Sequence, residues 1–309
     1  TIYNFVNRQD YSNPLTNTGI SIEQKPLLPE YLGTDSNIIN RRRQDMILEL
    51  LPGLTFQPTF DQHSGYLQAS PGNKLFYWFM ESQNADENTP VVLWINGGPG
   101  CSSLGGMTEE NGPFRPNPDG RTLFENIYAW NKAAHMLYID SPRQVGFSYQ
   151  DESINNSTQW NDTYTASDLY LAVEDFFVAF DNFKDKDFYV TGESYAGIYI
   201  PVFTEYLVNK ILAGESTINL KGIAIGNGEV SALQALRSDL PYSYFRGLIG
   251  QETFDSLSGC CPGATAKSGL YCQYDYYFSD VWSFQLKDNL TGAEHACGVK
   301  VQEAYLHIV

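Results

Sequence analysis

The stretch Phe188–Phe203, FYVTGESYAGIYIPVF, restricts the fold more than any other part of the chain. An apolar run, Phe188-Tyr189-Val190, leads into Thr191-Gly192-Glu193-Ser194-Tyr195-Ala196-Gly197, and a second apolar run at helical spacing follows. A strand that turns sharply into a helix with a serine at the turn presents that hydroxyl at the carboxyl edge of a sheet. The backbone N–H groups of such a turn open toward developing negative charge. Gly192 stands two before the serine, where a side chain meets the helix start. Ala196 stands two after it, a mild departure from the usual glycine at a position that takes only a small residue. Read by itself, the bare Gly-x-Ser pattern favours an ordinary turn in which Ser194 caps a helix.

The remainder of the chain favours the first reading. Gln62–Ala69 and Lys74–Glu81 form a strand pair joined through Ser70-Pro71-Gly72-Asn73. Pro90–Asn96, Ala133–Asp140 and Leu220–Gly228 are continuous apolar runs, expected of strands buried on both faces. Ser167–Phe183 has helical spacing through Leu169, Val173, Phe176, Phe177 and Phe180. Strands alternating with helices predict an α/β fold with a mostly parallel central sheet and helices on both faces. The ligand site then lies at the carboxyl ends of the strands. Beyond Gly228 no further sheet strand is evident, so the sheet reads as incomplete. Ahead of it, Asp45–Leu51 reads as a short amphipathic helix ended by Pro52-Gly53. Asn13–Arg43, with Pro14, Pro26, Pro29 and Arg41-Arg42-Arg43, reads as a linker whose basic run is a solvated patch.

Composition narrows the class. The 309 residues carry a net charge of −17, which argues against nucleic acid or an anionic membrane as partner. No apolar run approaches the roughly 18 residues of a membrane span. Five cysteines and the sequons at Asn155, Asn156, Asn161 and Asn289 fit a glycosylated protein of the secretory route, lysosomal or secreted. Cys260, Cys261, Cys272 and Cys297 cluster, and spacing alone leaves three connectivities open. Cys101 stands apart.

Asn96-Gly97-Gly98-Pro99-Gly100-Cys101-Ser102-Ser103 follows a buried strand, where successive glycines let backbone N–H groups approach a ligand. Glu109-Glu110-Asn111-Gly112-Pro113-Phe114 comes next, then Asp140-Ser141-Pro142 with Val145-Gly146-Phe147-Ser148-Tyr149. With WINGGPGCSS, EENGPF, IDSP–VGFSY, TGESYAGIYIP and IGNG in this order, Gln44 to Val309 resembles the serine carboxypeptidases of the α/β-hydrolase fold, most closely the lysosomal cathepsin A-like branch. The resemblance implies that Ser194 is the nucleophile and that the N–H groups of Gly98 and Tyr195 form the oxyanion hole. It implies that Asn96, Gly97, Glu110 and Glu193 hold the free C-terminal carboxylate of a peptide or protein substrate. Two acids can bind a carboxylate only if one is protonated, which burial beside another acid favours. No cofactor and no metal are implied. A homodimer is retained as a candidate assembly. The resemblance pairs Cys260 with Cys297 and Cys261 with Cys272 inside a helical, disulfide-bonded cap insertion beginning at about residue 229.

A triad on this fold runs Ser, acid, His. Only His295 and His307 follow Ser194, the first in a cysteine-flanked loop and the second on a helix, and neither lies in a Gly-His turn after a strand. His63 and His135 read as structural. The catalytic Asp and His are therefore expected after Val309, and the chain alone is expected to be inactive. Cys101 agrees, since its counterpart in the family bonds to a cysteine in that distal part. Thr1–Ser12 resembles the last helix of a preceding carboxypeptidase unit, which suggests tandem units; an unrelated pro-segment is the alternative. Two alternatives stay open at this point: a non-catalytic module that binds peptide ends or a partner enzyme, and an acyltransferase. Glu110 and Glu193 favour the peptidase, because a carboxylate clamp serves a substrate with a free C-terminus. The aromatics of YCQYDYYFSD suggest an apolar residue preference.

Overall fold

The computed structural model describes residues 36–262, 272–281 and 283–308. The segment resembling a preceding unit, Thr1–Ser12, and most of the linker lie outside the described residues. The chain divides into two compact units, residues 1–228 and 229–309.

The first unit is built on a seven-stranded sheet in the order β1-β2-β6-β3-β8-β9, with β7 paired to β2. The strands are β1 Gln62–Gln68, β2 Asn73–Met80, β3 Val91–Ile95, β6 His135–Ile139, β7 Tyr149–Gln150, β8 Phe188–Glu193 and β9 Leu220–Gly226. β1, β2 and β6 pair antiparallel, whereas β6, β3, β8 and β9 run parallel. The continuous apolar runs explain why both faces are covered. Val91, Leu93 and Ile95 pack into one core with Leu137 and Ile139, while Val92 and Trp94 join Met136 and Tyr138 in the other. Helices α3 Asp162–Ala179 and α4 Ala196–Leu212 supply the first core with Phe176, Phe177, Ile200 and Phe203. The second core takes Leu104 and Met107 from α2 Ser103–Glu109, and Phe114 and Leu123 from the β4 Phe114–Pro116 and β5 Leu123–Glu125 hairpin.

Three expectations are corrected. Asp45–Leu51 is not a helix: helix α1 spans Ser36–Asp45, most of it within the segment read as linker. Met46 bridges to His63, and the Ile47 N–H donates to the Gln62 carbonyl at 2.9 Å, so the backbone there is claimed by the sheet. The basic run is not simply solvated either. Arg41 forms a 2.8 Å ion pair with Asp175, and Arg42 is buried against the Phe180 ring. Finally, β9 forms as expected but none of its residues is buried, and Ile223 is 47% exposed. Among the described residues β9 is the last strand of the sheet, and an end strand is covered on fewer sides.

The second unit holds α5 Ala232–Phe245, α6 Gln251–Ser258, α7 Gly292–Ile308 and a small antiparallel pair, β10 Phe278–Asp280 with β11 Gln285–Leu286. Disulfides join Cys260 to Cys297 and Cys261 to Cys272, the pairing implied by the resemblance. Leu236, Leu240, Leu257, Tyr274 and Tyr305 form its core. His295 lies in α7 rather than in a loop, because its N–H is taken by the Thr291 carbonyl at 3.4 Å as the helix begins.

Candidate active site

Parallel β3 and β8 are in register, with Ile95 opposite Gly192, so the chain leaves both strands at the same edge of the sheet. There the glycine loop after β3 and the turn after β8 are pressed together. A β-carbon on Gly97 would lie 2.4 Å from the Tyr195 nitrogen, 2.7 Å from the Glu193 carbonyl oxygen and 3.0 Å from the Ser194 Cβ. Gly192 is equally confined, since a β-carbon there would come within 2.1 Å of the Ile95 carbonyl oxygen. Contact with the neighbouring strand, more than with the helix start, is what demands glycine. Ala196 is fully buried at the next turn, which explains its small size.

Ser194 has φ 60°, a left-handed conformation that costs a non-glycine residue about 1–3 kcal/mol. Its N–H donates to the Gly226 carbonyl at 3.1 Å, and its own carbonyl accepts from Gly197 at 2.9 Å. The residue is exposed. It is not the helix cap, since Tyr195 occupies that position and makes no side-chain capping bond. The loop itself is a closed ring in which the Cys101 N–H returns to the Gly97 carbonyl at 3.1 Å. Gly98, at φ 113°, is exposed on it.

Asn96 and Glu110 meet through helix α2. The Asn96 Oδ1 accepts from the Trp94 indole at 2.8 Å and from the Gly106 N–H at 3.1 Å, which leaves its Nδ2 to donate to Glu110 Oε1 at 3.4 Å. At the end of α2 the Arg115 guanidinium donates to the backbone carbonyls of Glu109 and Glu110, and so fixes the position of Glu110. Burial and the carboxyl of Glu193 both push the Glu110 pKa above the usual range, opposed by the Asn96 donor. The structure therefore gathers Asn96, Gly97, Gly98, Glu110, Glu193, Ser194 and Tyr195 at one edge of the sheet.

His135 and His63 are elsewhere. His135 pairs with Val91, which pairs with Phe188, so it sits at the opposite end of the parallel strands from Ser194. Its Nδ1 accepts from the Ser82 N–H at 3.1 Å, and His63 lies edge-on to Phe180 in the core. Of the sequons, Asn155 is half-buried and donates to Asn73 at 3.0 Å, whereas Asn156, Asn161 and Asn289 are exposed. Asn161 also caps α3 by accepting from the Tyr164 N–H.

Sequence reasoning assigned no role to Asp140, yet this side chain is fully buried under the glycine loop. Burial raises its pKa, while donors from Ser102, Phe147 and Ser103 pull the other way. The signal was the Asp-Ser-Pro motif itself, whose partners are 37 to 38 residues upstream.

A serine on a strained strand-to-helix turn, facing a glycine loop at the carboxyl edge of the parallel strands of a mixed sheet, defines an α/β hydrolase. Residues 52–305 match the serine carboxypeptidase family, and the chain belongs to it. It is 48% identical to the mouse lysosomal protective protein over 229 residues, covering 74% of this chain and 46% of that protein. It is 40% identical to the serine carboxypeptidase ctsa-4.1 of Caenorhabditis elegans over 225 residues, covering 72% of this chain and 47% of that protein. Among solved structures it resembles Kex1(delta)p, a prohormone-processing carboxypeptidase from Saccharomyces cerevisiae. The TM-score is 0.66 and the identity 27%, over 85% of this chain and 58% of that one. The chain thus spans about half the length of these curated relatives.

Proposed function

We propose that the protein is a serine carboxypeptidase that releases C-terminal residues from peptides through an acyl-enzyme at Ser194. In this reading the N–H groups of Gly98 and Tyr195 receive the oxyanion. Asn96, Gly97, Glu110 and Glu193 hold the substrate's terminal carboxylate, with Glu110 as the protonated partner. The observation that carries it is the closeness of Gly97 to the Ser194–Tyr195 turn, which brings the glycine loop to the nucleophile. Glu110's raised pKa supports the clamp, because a protonated carboxyl donates a hydrogen bond to a carboxylate instead of repelling it.

The acid and histidine of the triad come from parts of the protein outside these 309 residues. That assignment is supported by His135 lying at the far end of the strands and by the chain's span of about half its relatives. A positioned base is typically worth roughly 10²–10⁴-fold, so this segment alone is expected to be nearly inactive. The disulfides, the sequons and the lysosomal relative support a lysosomal or secreted location. Among the described residues no helix is long and apolar enough to cross a membrane.

The test is hydrolysis by the full-length protein of matched peptides with free and amidated C-termini. Release of the last residue from the free form only, abolished by Ser194→Ala, supports the reading. Equal cleavage of both forms contradicts the clamp, and acyl transfer without hydrolysis contradicts the peptidase assignment.

A further inference from the structure

The geometry points to Asp140 as a positioning residue that holds the glycine loop in the shape needed to receive the oxyanion; the inference rests on the reading of Ser194 and Gly98 given above. Asp140 directly follows strand β6, which lies immediately beside β3 in the sheet. Its Oδ1 accepts from the Ser102 hydroxyl at 2.6 Å and from the Ser103 N–H at 2.9 Å, and its Oδ2 accepts from the Phe147 N–H at 2.9 Å. All three contacts are donated to the carboxyl group, the pattern suited to an ionised carboxylate, which only accepts. Charge-assisted bonds of this kind are roughly twice as strong as neutral ones, and burial removes the competing water.

Ser102 and Ser103 are the exit of the glycine loop and the start of α2. The entry is tied to the same place, since the Asn96 N–H donates to Ser103 Oγ at 3.2 Å while that hydroxyl donates to the Ile139 carbonyl at 2.5 Å. Both ends of the loop are therefore pinned to the end of β6. The Cys101 to Gly97 bond then closes the intervening residues into one ring. The peptide of Gly98 has no side chain to anchor it, so its direction follows from where this ring is held.

The other side of Asp140 is equally committed. The backbone at Gly146 has φ 55°, and a β-carbon there would lie 2.0 Å from Asp140 Oδ2. The Ser148 hydroxyl donates to the Asp140 carbonyl at 2.6 Å and accepts from the Phe76 N–H at 2.8 Å. The loop after β6 is thereby folded around the carboxylate, and Asp140 cannot swing away without breaking both loops. None of these atoms belongs to the reacting groups, so the residue acts through Gly98 and not on the substrate.

Asp140→Asn keeps the shape but replaces one acceptor oxygen with a donor, so it must face either Phe147 or the Ser102–Ser103 pair with the wrong group. In the full-length protein, a fluorophosphonate probe should label this variant at least tenfold more slowly than wild type. The kcat for peptide should fall by a similar factor while KM changes less than threefold. Hydrogen exchange of the amides at residues 97–104 should speed up at least tenfold, with β1 and β2 unchanged. Ser102→Ala, which removes one donor and leaves the carboxylate buried, should shift the same amides to a smaller extent and serves if Asp140→Asn does not fold. Wild-type labelling and exchange in both variants would overturn the inference, as would a uniform increase in exchange across the whole sheet. If wild type itself is not labelled, the carboxypeptidase reading falls, and the exchange comparison still decides whether Asp140 holds the loop.

Discussion

Gly97 and Tyr195 approach so closely that a β-carbon on the glycine would stand 2.4 Å from the tyrosine nitrogen. Residues nearly a hundred positions apart are thus brought together by the in-register pairing of β3 and β8. The prediction is direct. Gly97→Ala should force the loop off the Ser194 turn and lower kcat/KM by about 10²-fold or more, the scale of losing an oxyanion donor. Steady-state kinetics of the full-length variant check this, with circular dichroism to confirm that it folds.

Ser194 holds a left-handed backbone that a glycine adopts without penalty. Ser194→Gly should therefore abolish activity and still stabilise the protein, by about 1 kcal/mol, whereas Ser194→Ala should abolish activity with little gain. Denaturant unfolding of the three proteins measures the difference. A destabilised glycine variant would mean that the strain is not relieved at this residue.

Substrate binding should depend on pH through Glu110. Its pKa is raised, so the protonated, donating form persists above the ordinary carboxyl range and is lost as pH rises through the elevated value. Above that point KM for a peptide should climb by about tenfold per pH unit, as expected when one proton must be bound. Glu110→Gln, which donates at every pH, should flatten the rise. A pH-independent KM in wild type would remove the protonated clamp from the account.

The two buried histidines oppose acid stability. Burial holds His63 down to about 3 and His135 down to about 4, so both are neutral in the folded chain. Their unfolded counterparts bind protons below about 6.5. Their contribution is complete above that pH and is lost as pH falls from there toward the folded values. By pH 5 each should cost about 2 kcal/mol. His63→Phe should reduce the pH dependence of unfolding between pH 7 and 5 by about one proton's worth. The residue suits this test because its Nδ1 has no hydrogen-bond partner among the described residues and its ring already packs on Phe180.

The parts of the fold visible in the sequence are those determined by local pattern. Val91–Ile95 and His135–Ile139 are buried at every position because both sheet faces are covered, and all of their residues but His135 are apolar; the Ser194 turn is marked by its small residues. Helix α2, SLGGMTE, was not visible, since two glycines disfavour a helix and tertiary contacts hold it: Asn96 and Asp140 accept from its backbone, and Leu104 and Met107 pack in the core. Asp45–Leu51 failed for the opposite reason: a helical stripe was overridden by backbone pairing with Gln62. The roles of Asp140 and Arg115 depend on partners supplied by the tertiary fold, which no periodicity encodes.

The central claim is that the Ser194 hydroxyl faces the amides of Gly98 and Tyr195. A crystal structure of the full-length protein phosphonylated at Ser194 measures this. The account predicts a phosphonyl oxygen about 2.7–3.1 Å from both the Gly98 and the Tyr195 nitrogens. A phosphonyl oxygen turned to solvent with both amides bonded elsewhere would contradict it.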